Sequence, residues 1–298
     1  MNKKPKLIAV VGPTASGKSD LAVGLALAFS GEVISADSRQ VYKGLDIGSG
    51  KITKKEMRGI PHYLLDVAEP QNTFSVADYK VLAEEKIAEI LKKNKLPIIA
   101  GGTGFYIDSV VYDINLPAVP PNEILRQELS QESLPALQVK LKNLDPDRFK
   151  EIDQENKVRL IRAIEIAQSL GQVPKATKEE SPYDFLILGL SATQDELDIK
   201  IKKRLIDRLE NGLIAEVKKL QEEKVTWERL ESFGLEYRFV AYYLQDKISY
   251  DELVEKLFIA IRQYSRRQMT WFKRDKSIKW IKGEDEALLL INQWLNKK

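Results

Sequence analysis

Hydrophobic and polar positions follow two alternating patterns along the N-terminal third of the chain. Apolar runs at 7–11 and 96–100 are typical of strands that are buried on both faces of a sheet, and residues 32–36 predict a further buried strand. Apolar residues recur with helical spacing at 20–29 and 76–94, which predicts helices between those strands. Strands that alternate with helices favour a parallel sheet that is covered by helices on both faces.

The pattern changes at a proline-rich stretch, 116–121. Helical periodicity continues from 122 to 170 without a strand, and the apolar run 185–190 then predicts a strand that returns to the sheet. Farther on, the predicted elements are long helices at 195–224 and 250–274 and an edge strand at 278–281. The predicted domains are a core formed by 1–119 and 183–298 and an all-helical insertion at 120–182.

Composition narrows the chemistry that is available to the chain. The sequence contains no cysteine, which excludes disulfides, thiolate nucleophiles, zinc fingers and iron–sulfur clusters. Its single histidine, His62, cannot build a multi-histidine metal site, and we expect it to be packed or hydrogen-bonded rather than catalytic. A bound metal would therefore be a hard ion held by oxygen atoms, magnesium above all.

The chain carries no predicted membrane segment or targeting signal. No stretch approaches the roughly 18 uncharged apolar residues that a membrane span needs. The apolar run 7–11 is too short for the core of a signal peptide and leads into a glycine-rich loop. We therefore expect a cytoplasmic protein with no membrane partner, and we expect it to be a monomer.

The first predicted strand leads into the glycine-rich loop Gly12, Pro13, Thr14, Ala15, Ser16, Gly17, Lys18 and Ser19. This spacing, after a buried strand and at the start of a helix, matches the P-loop pattern. Backbone N–H groups of such a loop bind phosphate oxygens, Lys18 adds a positive charge, and the Ser19 hydroxyl can ligate magnesium. The loop predicts a di- or triphosphate site in a P-loop NTPase-like α/β fold, and it leaves the reaction open.

Two further segments follow predicted strands at the same edge of the sheet. Asp37 ends the second strand, where it could act as a general base, cap a helix or pair with Arg39. The strand 96–100 ends in Gly101-Gly-Thr-Gly104, whereas P-loop ATPases and kinases usually place a metal-directing aspartate after a core strand. This second loop could press Thr103 against the phosphates, or it could be a simple turn into a helix.

Basic residues are distributed unevenly. The formal net charge is +3, yet residues 256–282 carry nine basic side chains and one acidic side chain, which leaves a negative remainder for the rest of the chain. Tyr264, Trp271, Phe272 and Trp280 are interleaved with these cations. Cations and aromatic rings together suit phosphate contacts and base stacking, although a solvated helix with its aromatic rings in the core is the alternative.

Four motifs, in this order, resemble those of the bacterial tRNA dimethylallyltransferases: residues 12–19, Asp37-Ser-Arg-Gln-Val-Tyr42, Gly101-Gly-Thr-Gly104 and Arg267-Gln-Met-Thr-Trp-Phe272. The resemblance extends over nearly the full length of the chain. Members of that family transfer a dimethylallyl group from its diphosphate to the exocyclic amine of the adenine 3′ of the tRNA anticodon. Their P-loop holds the allylic diphosphate, which agrees with the missing metal-directing aspartate.

The resemblance also implies roles for individual residues. Asp37 would be the general base, and Lys18, Thr103 and Arg204 would bind the diphosphate, with Mg²⁺ on Ser19. The residues expected to contact tRNA, including two arginines of the basic segment, are Asp37, Ser38, Arg39, Gln40, Thr103, Arg126, Val158, Arg159, Leu160, Ile161, Arg162, Arg238, Arg266 and Arg267. The pair Arg159 and Arg162, three positions apart on a helix, could equally form a solvated face.

The chain departs from the family pattern at three positions. Lys200 replaces an arginine, so a point charge stands where a bidentate guanidinium is usual. Tyr63 replaces a second histidine, and Glu236 interrupts a glycine–tyrosine pair before Arg238. The zinc-binding tail of eukaryotic relatives is excluded because the chain has no cysteine.

Three other functions share parts of this sequence pattern. A small-molecule kinase would use the P-loop and magnesium, but it would not need the basic segment. A prenyltransferase acting on free adenine nucleotides would use Asp37, but it would need neither that segment nor the insertion. An RNA-binding protein gated by a nucleotide would leave Asp37 without a role.

Overall fold

The structure, a computed structural model, describes residues 4–175, 177 and 179–297. The chain divides into two compact units. The core unit comprises Met1–Asp113 together with Glu180–Lys298, and the helical unit comprises Ile114–Glu179. None of the helices in the described ranges combines the length and the apolarity that crossing a bilayer requires.

The core unit is built on a six-stranded sheet in which every neighbouring pair of strands is parallel. The strands are β1 (Lys6–Val11), β2 (Gly31–Ser35), β3 (His62–Tyr63), β4 (Leu96–Gly101), β5 (Asp184–Leu190) and β6 (Lys279–Ile281). Their order across the sheet is β3-β2-β4-β1-β5-β6. The predicted parallel sheet is confirmed, and β1, which leads into the P-loop, lies between β4 and β5.

Helices account for most of the remaining described chain. In chain order they are α1 (Lys18–Ala28), α2 (Val76–Lys92), α3 (Gly104–Val111), α4 (Glu123–Gln131), α5 (Leu134–Leu144), α6 (Pro146–Glu151), α7 (Lys157–Leu170), α8 (Gln194–Glu210), α9 (Leu213–Glu222), α10 (Trp227–Phe233), α11 (Leu235–Leu244), α12 (Tyr250–Phe272) and α13 (Glu284–Leu295). Helices α4 to α7 belong to the helical unit, whose described residues contain no strand, as predicted.

The continuous apolar runs arise because both faces of the sheet are covered. On β1, Leu7, Ala9 and Val11 pack in a hydrophobic cluster with residues of α2 and α3. The intervening Ile8 and Val10 pack in a second cluster with residues of α1 and α13. All five side chains are fully buried, so no polar residue interrupts the strand. This central strand therefore gives the P-loop a rigid base.

The sequence-based elements differ from the observed ones in the C-terminal half. The helix predicted at 195–224 is two helices, because Gly212, between α8 and α9, has a φ of +102° that side-chain-bearing residues rarely adopt. Helices α10, α11 and α13 were not predicted from the pattern. Strand β3, only two residues long, lies within a stretch that carries no strand signal.

Capping boxes fix the start of three helices in the core unit. In α2, α8 and α12 the side chains of Ser75, Thr193 and Ser249 accept hydrogen bonds from the backbone N–H groups three residues ahead. The acidic side chain at that third position accepts a hydrogen bond from the backbone N–H of the serine or threonine. Helices α8 and α12 carry residues of the candidate site. Their registers are therefore set locally, at their N-terminal ends.

Candidate active site

The P-loop joins β1 to α1 and leaves the N-terminus of that helix open. Gly17 is the N-cap residue of α1, and no described side chain caps the helix there. The first N–H groups of a helix have no partner within it, and the helix dipole favours negative charge at that end. The loop therefore retains the anion-binding property that the sequence predicts.

Lys18 is a half-buried cation at this helix end. Its Nζ donates to the Pro13 carbonyl oxygen at 2.7 Å. Burial and, to a smaller extent, repulsion from Arg204 lower the pKa of Lys18 to about 8, and Asp37 opposes both effects. A phosphate group beside Nζ would supply the negative charge that favours the protonated form.

Asp37 follows β2 and organises the turn after it. Its Oδ1 accepts hydrogen bonds from the backbone N–H groups of Arg39 at 2.8 Å and Gln40 at 3.4 Å. The alternative pairing with Arg39 does not form, since the Arg39 guanidinium donates to the carbonyl oxygens of Phe233 and Ser38. The turn thus holds one carboxylate oxygen of Asp37 and fixes the direction of the other.

Thr103 lies against the same turn. Its Oγ1 accepts a hydrogen bond from the Ser38 N–H at 3.0 Å, and its own N–H donates to the Ala36 carbonyl oxygen at 3.1 Å. Thr103 thereby connects the loop after β4 to the turn that carries Asp37. The Thr103 hydroxyl oxygen accepts a hydrogen bond from Ser38. A contact between Thr103 and the diphosphate stays a prediction.

A small cavity brings together all the predicted reaction residues except Thr103, which is not part of its lining. This central cavity has a volume of about 80 Å³. Its lining includes Lys18, Ser19, Asp37 and Arg204, together with Gln40, Tyr264 and Gln268. Residues that lie far apart in the sequence therefore face one space between the P-loop and the carboxylate.

Two larger cavities share lining residues with the central one. The P-loop cavity, of about 640 Å³, is lined by Lys18, Ser19, Lys200, Arg204 and Arg208, among others. The aromatic cavity, of about 300 Å³, is lined by Asp37, Arg39, Phe233, Tyr264 and Arg267, among others. The central cavity thus shares Lys18 and Arg204 with the P-loop cavity and Asp37 with the aromatic cavity.

Gln268 on α12 joins the two glycine-rich loops. Its Oε1 accepts from the Thr14 N–H at 2.8 Å, and its Nε2 donates to the Gly102 carbonyl oxygen at 2.9 Å. The side chain is buried. The P-loop and the loop after β4 are therefore held at a fixed separation by one amide group.

Two arginines lie one helical turn apart on α8 and face the P-loop cavity. Burial and repulsion from Arg208 lower the pKa of Arg204 to about 10, whereas Glu236 and Asp37 oppose this shift. A Cβ atom at Gly50, whose φ is +61°, would overlap Nη2 of both guanidinium groups. The cavity wall at this point is therefore backbone, packed directly against two cations.

The segment around Gly50 is held by two side chains from α9 and α11. The Glu216 carboxylate accepts hydrogen bonds from the N–H groups of Asp46, Ile47 and Gly48. The Tyr237 hydroxyl donates to Glu216 at 3.0 Å and accepts from the Ser49 N–H at 3.1 Å. These contacts fix the backbone that packs against the arginines.

The basic segment 256–282 is only partly available for a partner. Arg262 pairs with Asp198 at 2.7 Å, and Phe272 is buried in the core, as the alternative interpretation expected. Arg266 and Trp271 are exposed, and Arg267 lies over the Tyr264 ring at 5.9 Å on the wall of the aromatic cavity. The cations farther along the segment, Lys273, Arg274, Lys276, Lys279 and Lys282, are exposed as well, so most of the predicted strip remains accessible.

The remaining predicted tRNA contacts in the core unit lie around the aromatic cavity. Ser38, Arg39 and Arg238 line it. The Arg238 Nε donates to the Glu231 carbonyl oxygen at 3.0 Å. Gln40 is used internally, since its side chain accepts from Ser35 Oγ and donates to the Gly50 carbonyl oxygen.

In the helical unit, the predicted tRNA-contacting residues have different environments. The buried Glu165 carboxylate accepts from Arg126, at 2.9 and 3.0 Å, and from Arg162. Leu160 and Ile161 are buried in the core of this unit, so a tRNA contact through their side chains is excluded. Val158 and Arg159 are exposed and form the accessible part of this stretch.

Several residues of the site were missed at the level of sequence. Gln268 lies within the motif that begins at Arg267, but a neutral amide adds nothing to a charge count. Arg208 follows Arg204 by four positions, a spacing that places both on one face of a helix and could have identified it. Glu216 and Tyr237 could not be identified from the sequence, because the loop that they hold, residues 46–49, lies far from both of them along the chain.

The donor set fits a magnesium ion that arrives with a diphosphate. Ser19 is exposed at the P-loop cavity and offers a hydroxyl oxygen. Within the part of the chain that the structure describes, no group of three or more histidine or acidic side chains could hold a metal. Magnesium commonly takes its remaining ligands from substrate phosphates and water, which one serine hydroxyl can complement.

Comparison with known proteins places this site in a family. The IPP transferase family profile matches residues 40–275. The chain is 42% identical over 290 residues to the tRNA dimethylallyltransferase 2 of Treponema denticola, covering 94% of this chain and 97% of that protein. It is 43% identical over 291 residues to the tRNA dimethylallyltransferase 1 of Syntrophus aciditrophicus, covering 95% of each.

A solved structure agrees with these relatives. The crystal structure of the full-length tRNA isopentenylpyrophosphate transferase from Bacillus halodurans superposes with a TM-score of 0.73 and 36% sequence identity. The similarity covers 98% of this chain and 96% of that one. From the matched profile and the nearly full-length identity, the chain belongs to the IPP transferase family.

Proposed function

We propose that the protein transfers a dimethylallyl group from dimethylallyl diphosphate to the exocyclic amine of the adenine 3′ of the anticodon in tRNA, releasing diphosphate. The names of its relatives support this activity. The observation that carries the proposal is the central cavity, where the Asp37 carboxylate faces Lys18 and Arg204. A base and a cationic phosphate site on one small space suit alkyl transfer from a diphosphate to an amine.

The two larger cavities suit the two substrates. The diphosphate binds in the P-loop cavity, where Lys18, Arg204 and the N-terminus of α1 supply positive charge. The target adenine leaves the stacked anticodon loop and enters the aromatic cavity, where Tyr264 offers a ring for stacking. The amine and the allylic carbon then meet at the central cavity.

The chemical step exchanges one bond to the allylic carbon for another. The bond from this carbon to the diphosphate oxygen breaks, the bond to the adenine nitrogen forms, and the amine proton passes to Asp37. Negative charge grows on the leaving diphosphate, and Lys18 and Arg204 offset it. The backbone N–H groups of Arg39 and Gln40 keep the Asp37 carboxylate oriented while it accepts the proton.

Ser19 is the residue proposed to hold magnesium. A magnesium ion bound with the diphosphate supplies additional positive charge to the leaving group. Thr103 positions the turn of Asp37 through Ser38, and a contact between Thr103 and the diphosphate remains part of the proposal. The protein is proposed to act as a monomer in the cytoplasm.

The residues proposed to bind tRNA form one surface in the core unit and a separate one in the helical unit. In the core unit Arg39, Arg238, Arg266 and Arg267 contribute charge, with Ser38 beside them. In the helical unit Val158 and Arg159 contribute through their exposed side chains, and Arg126 and Arg162 support the surface through Glu165. Leu160 and Ile161 contribute to the packing of this surface alone.

A transfer assay tests this function. Purified protein with labelled dimethylallyl diphosphate and magnesium is offered unmodified tRNA, AMP or ATP, and we expect label only in tRNA. Label in AMP or ATP alone would indicate the free-nucleotide prenyltransferase, and ATP consumption without label transfer would indicate the kinase. RNA binding without any transfer would indicate the nucleotide-gated RNA-binding protein.

Two variants test the base. Asp37→Asn keeps the hydrogen bonds of the turn but cannot accept the proton, so turnover should fall by at least about 100-fold while tRNA affinity changes by less than about threefold. Glu255→Gln, which removes an exposed carboxylate of α12, is the matched control and should leave both unchanged. Turnover of Asp37→Asn within a few-fold of the wild type would contradict the assignment.

A further inference from the structure

Arg208 lies between the two larger cavities, and the function proposed above gives it no role. It lines both the P-loop cavity and the aromatic cavity. Its Nη1 donates to Glu236 Oε1 at 2.6 Å, and the two side chains are only 11% and 10% exposed. Since Glu236 belongs to α11, this buried ion pair joins α8 to α11 beside the proposed reaction space.

Half of the Arg208 guanidinium group lacks an acceptor. Its Nη2 is buried, and none of the described residues accepts a hydrogen bond from it. Buried donors are almost always paired in folded proteins, and an unpaired one is unfavourable. An oxygen of a bound ligand would satisfy this donor.

Gly50 shows where this free end of Arg208 lies. A Cβ atom at Gly50 would overlap Nη2 of Arg208 and Nη2 of Arg204 alike, so the two groups pack against the same backbone atoms. Gly50, Arg204 and Arg208 all line the P-loop cavity. The unpaired nitrogen therefore lies beside the arginine that is proposed to bind the diphosphate.

Cationic side chains of the P-loop cavity outnumber acidic ones by one, since Lys18, Lys51, Lys200, Arg204 and Arg208 line it together with Asp20, Asp46, Glu56 and Asp207. Lys18, Arg204 and Arg208 are cationic, and Arg204 and Arg208 repel each other across a short distance. Glu236 pairs with Arg208 alone among them. The excess of positive charge is what a diphosphate would neutralise.

We propose that Arg208 is a second diphosphate-binding arginine and that Glu236 is its positioning residue. Glu236 holds Nη1, which orients the planar fork so that Nη2 can donate to a diphosphate oxygen. Arg208 also lines the aromatic cavity, as does Asp37. It therefore binds the leaving diphosphate on the side nearer to the general base Asp37. The inference depends on the proposed function for the identity of the anion only.

Pyrophosphate binding by variants of this pair tests the proposal. Inorganic pyrophosphate, at fixed magnesium concentration, is titrated into the full-length protein by calorimetry. Arg208→Met should weaken binding by at least about tenfold, because a charge-assisted hydrogen bond is lost. Lys202→Met, which removes an exposed cation from the same helix, is the control and should bind as the wild type does.

A double variant separates binding from a structural role. Arg208→Met alone leaves the Glu236 carboxylate buried and unpaired, which destabilises the fold. Arg208→Met with Glu236→Leu removes both buried charges, so its melting temperature should return towards that of the wild type while pyrophosphate binding stays at least about tenfold weaker. A double variant that binds pyrophosphate within about threefold of the wild type would overturn the proposal.

Glu236 variants test the positioning role. Glu236→Gln retains an acceptor for Nη1 and should keep the affinity for pyrophosphate within about threefold, whereas Glu236→Leu should lose about tenfold. Equal affinities for these two variants would contradict the role. If the wild type binds pyrophosphate but transfers no dimethylallyl group, the proposed function alone is refuted. If the wild type transfers the group normally and the double variant binds pyrophosphate as the wild type does, this inference alone is refuted.

Discussion

Gln268 accepts a hydrogen bond from the N–H group of Thr14 at 2.8 Å, although 254 positions of the chain separate the two residues. The same amide donates to the Gly102 carbonyl oxygen. Both glycine-rich loops of the active site therefore depend on one side chain from the last long helix of the core unit. The P-loop geometry is a product of tertiary structure as much as of its own sequence.

Gln268→Met should weaken both the fold and the diphosphate site. Methionine fills a similar volume but leaves Thr14 N–H and Gly102 C=O without partners, at a cost of about 1–3 kcal/mol for each buried group. We expect a lower melting temperature and a raised KM for dimethylallyl diphosphate. Gln263→Met, on the exposed side of α12, is the control and should change neither value.

Gly50→Ala should lower the affinity of the P-loop cavity for pyrophosphate, in addition to straining the backbone. The new Cβ would displace the guanidinium groups of Arg204 and Arg208, in addition to straining a residue with φ of +61°. Gly59→Ala is the control, since Gly59 has φ of +81° but no atom within 4 Å of an added Cβ. Both variants should lose about 1 kcal/mol of stability from strain, and only Gly50→Ala should lose pyrophosphate affinity.

Pyrophosphate affinity should depend on pH through Lys18. Because the pKa of Lys18 is lowered to about 8, its charged form predominates below pH 8 and is lost above it. The ratio of wild-type affinity to that of Lys18→Met, which cancels the titration of pyrophosphate itself, should therefore be nearly constant below about pH 7.5 and fall towards tenfold per pH unit above about 8.5. Calorimetry at pH 8 in buffers of different ionisation enthalpy should detect proton uptake on binding.

A matched variant checks the origin of that proton. Lys18→Met should bind pyrophosphate weakly at every pH and take up no proton. Arg204 remains charged across this range, since the pKa of its guanidinium is about 10. Proton uptake that persists in Lys18→Met would assign the titration to another group.

Binding of tRNA should weaken with salt, and the exposed arginines should set the slope. Each phosphate contact contributes about one to the dependence of the logarithm of affinity on the logarithm of salt concentration. Arg267→Gln should reduce that slope by about one and lower affinity at low salt. Lys218→Gln, an exposed cation on α9 outside the basic segment, should leave the slope unchanged.

The sequence was sufficient to predict the central sheet because its strands are buried on both faces. Strands β1 and β4 read as uninterrupted apolar runs for that reason, and the P-loop between β1 and α1 has a fixed spacing of residue types. Strand β3 could not be predicted, since two residues carry no periodicity. The break between α8 and α9 depends on the backbone conformation at Gly212, which helical spacing does not report.

Individual residues of the candidate site could be predicted where the residue type and its position in a motif indicate a chemical role. Asp37 and Lys18 met that condition, and the structure places them on one cavity. Glu236 departed from the family pattern, and only the fold reveals its partner, because Arg208 lies 28 positions earlier. Leu160 and Ile161 are buried because they pack in the core of the helical unit. The family resemblance of residues 158–162 could not indicate which of their side chains are buried.

The long chain separation between Thr14 and Gln268 has a consequence for biosynthesis. At about 5 to 20 residues per second, a ribosome adds the 254 intervening positions in roughly 13 to 50 s. During that interval the emerging P-loop lacks the amide that fixes it. The nascent chain therefore gains its complete P-loop cavity only after α12 has been synthesised.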